Sequence, residues 1–232
     1  QADRGLPLRL RAGPRQGTLP VSPVLTPREA ERRLYLLTTT RWLPVGFVVG
    51  IVILLQTGRG LTVAQAASSF AIGGLVTFAL ELPTSGFADA VGRRPVYLAA
   101  AALGVVAAVG IALAQSFWWF VAAAVVTGAF RALDSGPLEA WFVDAVHATM
   151  PGVDVDRQLS RAGSVLGGAI AVGALASGGL IWWDPVRTVF GVSGVSALDA
   201  AAWVSAALTV VHLVAAEEIG RASCRERVCW IV

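Results

Sequence analysis

Gly86-Phe87-Ala88-Asp89-Ala90-Val91-Gly92-Arg93-Arg94-Pro95 closes one long apolar run, Ala66–Ala88, and precedes another, Val96–Gln115. Each run holds about the 20 residues a helix needs to cross the hydrocarbon of a bilayer. Working outward, four more runs of that kind appear: Leu34–Gln56, Phe117–Trp141, Ala162–Trp183 and Phe190–Val214. Lipid offers backbone groups no partner, so each run must satisfy its own hydrogen bonds as a helix. The expected fold class is therefore all-α, a polytopic membrane bundle of six transmembrane helices.

Composition points the same way. Of 232 residues, 56% are hydrophobic and 14% charged, where soluble domains hold about 25% charged residues. An Ala-rich soluble helical protein needs a polar face on each segment, and these segments have none. Gly163, Gly167, Gly168, Gly173, Gly178 and Gly179 crowd the fifth run, where small residues let helices approach closely in lipid. Thr62 and Ser116 are the expected N-caps near the second and fourth helices.

The charges gather between and outside the runs, and all the cations except the histidines are arginines. The net charge of +3 does not indicate a nucleic-acid partner, because no basic face alternates with aromatics. Placing the N-terminus in the cytoplasm puts Arg4, Arg9, Arg11, Arg15, Arg28, Arg32, Arg33, Arg93, Arg94, Arg157 and Arg161 inside. Only Arg59 and Arg187 then fall outside. That asymmetry fits the positive-inside rule and an inner (plasma) membrane protein with its N-terminus in the cytoplasm. Trp118, Trp119, Trp182 and Trp183 fall at outer span ends and read as interfacial anchors.

Residues 1–33 are expected to form a disordered cytoplasmic arm, and 34–216 the six-helix unit. Residues 217–232 contain the cysteines, Cys224 and Cys229. They read as a non-native tail resembling translated read-through, expected to touch nothing; a genuine amphipathic tail is the alternative. A chain starting at Gln1 with Met150 as its only Met reads as a fragment.

The stretch Gly86–Pro95 closely resembles the signature loop of the major facilitator superfamily: Gly86, Asp89 three residues on, then Gly92, Arg93 and Arg94. Its pieces have physical uses. Glycines permit a tight turn, Asp89 suits a helix N-terminus, and Arg93 suits a forked pair with a carboxylate. A second stretch, Ser135-Gly136-Pro137-Leu138-Glu139-Ala140-Trp141 followed by Asp144, is similar to the family's fourth helix. The resemblance spans roughly residues 34–215 and implies a transporter of two six-helix halves with a site between them. This chain is then the N-terminal half, and the missing C-terminal half is its partner.

The resemblance implies secondary active transport of a small molecule by alternating access, with proton-coupled drug or metabolite export, an antiport, as its finer form. It also implies that Asp144 pairs with Arg93 as a gate, with Glu139 the competitor. Glu81, on a helix where a carboxylate is expensive, is a coupling candidate or else a structural glutamate. Arg131 and Asp134, three apart on one helix face, are expected to neutralise each other. They complete the candidate substrate or proton-coupling set of Glu81, Arg131, Asp134 and Glu139. Arg41 is expected to snorkel to the cytoplasmic surface, and His212 to be structural rather than a proton carrier. No phosphate loop, metal-ligand spacing or catalytic set is visible, so no enzyme activity and no cofactor are expected. Two other classes stay open: a complete six-span dimeric transporter or channel, and a membrane-embedded enzyme.

Overall fold

A computed structural model describes residues 25–188 and 196–225, without the side chains of 85–90, 186 and 222–225. Among them the chain forms helices α1 (Pro27–Val49), α2 (Val52–Gly58), α3 (Val63–Val91), α4 (Arg93–Leu113) and α5 (Phe117–Asp134). Then follow α6 (Pro137–His147), α7 (Asp156–Trp183), the short α8 (Pro185–Thr188) and α9 (Ala197–Arg225). The fold is all-helical, as the apolar runs require. Five helical stretches are long and apolar enough to cross a membrane, and α1 with α2, bent by 40°, makes up to six.

The sequence sets the ends of these helices. Thr26 Oγ1 accepts from the Glu29 N–H at 3.3 Å, and Glu29 Oε2 accepts from the Thr26 N–H at 3.0 Å. This reciprocal cap, with Pro27 in the first turn, starts α1 before the apolar run begins. Leu25, Ala30 and Leu34 are buried, so the expected boundary at Leu34 falls inside a packed helix. Thr62 caps α3 in the same way with Gln65. Ser116 occupies the cap of α5, but its side chain makes no capping bond. The single residue Gly92, at φ +100°, turns α3 into α4. Gly86, expected to help that turn, instead lies within α3.

The fourth run is not one helix. Gly136 takes φ +94° and Pro137 opens α6, which breaks the run between α5 and α6. Pro lacks the N–H for an interior helical bond and favours the first turn.

α1 packs on α7 and α9, α3 on α5, and α4 on both α5 and α9. Two crossings rely on absent side chains. A Cβ on Gly46 would collide with the Ile170 carbonyl oxygen of α7, and one on Gly128 would sit 2.5 Å from the Gly73 oxygen of α3. Of the six glycines in α7, Gly173 alone meets a neighbour, the Leu43 backbone; the other five face open space. A cluster of Leu34, Leu37, Tyr97, Leu138, Trp141 and Phe142 fills the end of the bundle where α1 begins. The outer surface is apolar: Leu82 is 80% exposed and Trp182 89%. Such a face suits hydrocarbon better than water.

The last helix also departs from expectation. Ile219 packs against the cluster just described, and Gly220 lies against the Arg94 side chain. The stretch from Glu217 to Gly220 therefore touches the bundle. Cys224's side chain and residues 226–232, Cys229 included, lie outside the described residues.

Candidate functional site

Helices α1 to α5 and α9 line a half-open cavity of about 260 Å³. Its apolar wall comes from Val45, Val48 and Val52, with Phe70 of α3, Ile111 of α4 and Phe130 of α5. Its polar lining is Arg41, Gln56, Ser69, Thr77, Thr127, Arg131, Ser205, Thr209 and His212. Most of the hydroxyls are spent on backbone. Thr127 donates to the Ala123 oxygen at 2.8 Å, Thr77 to the Gly73 oxygen at 3.1 Å, and Thr209 to the Ser205 oxygen at 2.8 Å. Each can still accept a bond but offers little as a donor.

The charges around the cavity differ from the expected arrangement. Asp134, at the end of α5, forms no ion pair with Arg131. Its carboxylate pairs with Arg41 Nε of α1, and Arg41 Nη2 donates to the Asp134 backbone oxygen at 3.2 Å. Both side chains are buried. Arg41 therefore does not snorkel. An acid on the neighbouring helix and the Trp42 ring, 5.0 Å from the guanidinium carbon, hold it inside. Arg131 points to the cavity with no ion-pair partner among the described residues. His212 is buried; its Nδ1 lies 3.0 Å from Thr40 Oγ1 and its Nε2 3.5 Å from the Tyr97 hydroxyl.

Above and below the cavity, ion pairs tie helices together. At the end where α1 begins, Arg93 Nη1 at the start of α4 pairs with Asp144 Oδ2 of α6. The contact is one N–O pair rather than the expected fork. Glu139, the competitor, sits in the first turn of α6 with its Oε2 buried and without a hydrogen-bond partner among the described residues. Arg94 leans on Gly220 of α9. Asp89 belongs to α3, and its side chain lies outside the described residues. Glu81 is exposed on α3, away from the cavity lining.

At the opposite end, Arg59, which the sequence marked only as an outer cation, makes four hydrogen bonds among the described residues. Its Nη2 donates to Asp199 Oδ1 at 2.5 Å and to the Ala112 oxygen at 2.8 Å. Its Nη1 donates to the Ile111 oxygen at 3.0 Å and the Ala114 oxygen at 2.5 Å. The last carbonyls of α4 have no helical partners, and a cation there also meets the negative end of the helix dipole. The available sequence signal was an arginine one residue before a glycine between two apolar runs, with an acid, Asp199, opening the last span.

No curated protein matches the chain with significance. The family profile described as Major Facilitator Superfamily matches residues 34–222, from the first turns of the apolar body through Ala222 of the last helix. The matched region covers every span, the cavity and both ion-paired ends, so the chain belongs to the major facilitator superfamily, a family of membrane transporters of small molecules.

Proposed function

We propose that this chain is the N-terminal six-helix half of a secondary transporter that works by alternating access, coupled to protons and exporting a drug or metabolite in antiport. The observation that carries this reading is a cavity in mid-bundle, bounded at each end by an ion pair between separate helices. A membrane carrier needs such an arrangement: a site that neither face reaches at once, and end contacts that break by turns. The C-terminal half supplies the remaining wall of the site.

The arginine asymmetry orients the reading, with the Arg93–Asp144 end in the cytoplasm of a cell whose inner (plasma) membrane holds the protein. In this arrangement Arg93 and Asp144 form the inner gate, with Gly92 setting their register and Gly86, Asp89 and Arg94 in the same corner. Asp134, buried behind Arg41 at the cavity wall, is the proton carrier. Protonating it frees Arg41, and a change in the charge of one helix relative to another biases the two states. Glu139 and Glu81 are the secondary candidates.

The test is side-specific labelling of a single cysteine, Thr127→Cys, in the full-length protein carrying Cys224→Ser and Cys229→Ser. An impermeant maleimide should reach it from either face, and an imposed proton gradient should shift the ratio. Asp134→Asn should abolish that shift. Labelling that ignores the gradient, or a passive ion current through reconstituted protein, would overturn the reading.

A further inference from the structure

We infer that the cavity takes an anionic amphiphile, a small organic acid with an apolar body, and that Arg131 binds its acidic head. The inference rests on the transport reading and narrows it to a substrate class. It follows from the charges facing the cavity. No Asp or Glu is among the described residues that line it, while two arginines are. Arg41 is already answered by Asp134. Arg131 is not answered: among the described residues no acid lies within ion-pair reach of it. It stands one turn beyond Thr127 on α5.

The other polar lining groups do not compete for that charge. Thr77, Thr127 and Thr209 donate to backbone oxygens, and Ser69 Oγ donates to Gln56 Oε1 at 3.2 Å and to the Ala66 oxygen at 2.8 Å. The cationic donors that line the cavity without a described acid paired to them are those of Arg131, whose planar fork matches a carboxylate. The remaining wall, formed by Val45, Val48, Phe70, Ile111 and Phe130, accepts hydrocarbon. A cation would meet a guanidinium that no described acid is paired with, and a neutral solute would leave its fork of donors without an anion.

Three probes with one ring decide the charge: benzoate, benzamide and benzylamine, each added at millimolar concentration to the full-length protein in lipid nanodiscs. Benzoate should raise the melting temperature, and the amide and amine should not. Arg131→Gln should weaken benzoate by about tenfold or more, the loss of a charge-assisted hydrogen bond, while Arg131→Lys should keep part of it. If Arg131→Gln fails to fold, Thr127→Glu places a carboxylate beside Arg131 in its stead; that variant should lose benzoate and gain benzylamine. Stabilisation by benzylamine or benzamide equal to that by benzoate overturns the inference, as does no response to any probe or benzoate binding that ignores Arg131. The probes need binding alone. Benzoate bound but never moved would therefore sink the transport reading and leave this inference standing, whereas movement of a cation would sink only this inference.

Discussion

The two ends of the bundle use an arginine for the same task with unequal commitment. Arg59 holds the ends of three spans, bonding to three carbonyls of the α4 terminus and to Asp199 of α9, and its side chain is only 9% exposed. Arg93 makes one described contact, with Asp144, and the two side chains are 27% and 50% exposed. The first is a satisfied structural joint. The second is a single exposed pair whose rupture is cheap, which suits the gating role proposed for it. The same residue type therefore makes a tight or a loose joint according to how many acceptors surround it and how much water reaches it.

If burial and acceptor count govern this difference, stability losses should follow them. The buried Arg41–Asp134 pair sets the upper limit. Asp134→Ala leaves Arg41 charged and buried without its acid, and should lower the unfolding free energy by about 3–5 kcal/mol. The double change Arg41→Met with Asp134→Leu should restore much of that loss in detergent melts, because hydrophobic replacement removes both desolvated charges. Arg59→Met comes next, at about 2–3 kcal/mol, since it strips charged donors from buried carbonyls. Arg93→Gln should change stability by less than about 1 kcal/mol, as exposed pairs do, and more weakly still at high salt. An Arg93 variant that destabilises as much as the Arg59 variant would erase the contrast between the two ends.

The spans were legible because lipid imposes one simple rule, enough apolar length per helix, and the sequence obeys it from Leu34 onward. Gly92 as a turn followed from its place between two runs, and Thr62 as a cap from its place just before the second. What stayed hidden depends on contacts distant in sequence. Asp134 lies three residues from Arg131, and local spacing favoured that pair. The acid turned to Arg41, 93 positions away, whose long side chain reaches it from α1. The break at Gly136-Pro137 was readable from the dipeptide, but the apolar run around it masked the signal. Arg59 looked like a loop cation until α4 was seen to end beside it. Five of the six α7 glycines face outward, because composition reveals small residues and not the face on which they lie.

The central claim is that the Arg93–Asp144 pair gates the cavity, and the cysteine at Thr127 tests it most directly. In the full-length, otherwise cysteine-free protein, Arg93→Asp or Asp144→Arg alone should raise maleimide labelling from the cytoplasmic face and lower it from the other. The double swap should return the ratio towards that of the unmodified gate. A double swap no better than the worse single change would contradict the pairing and make Glu139 the next partner to test; single changes that leave the ratio untouched would remove the gate from the account.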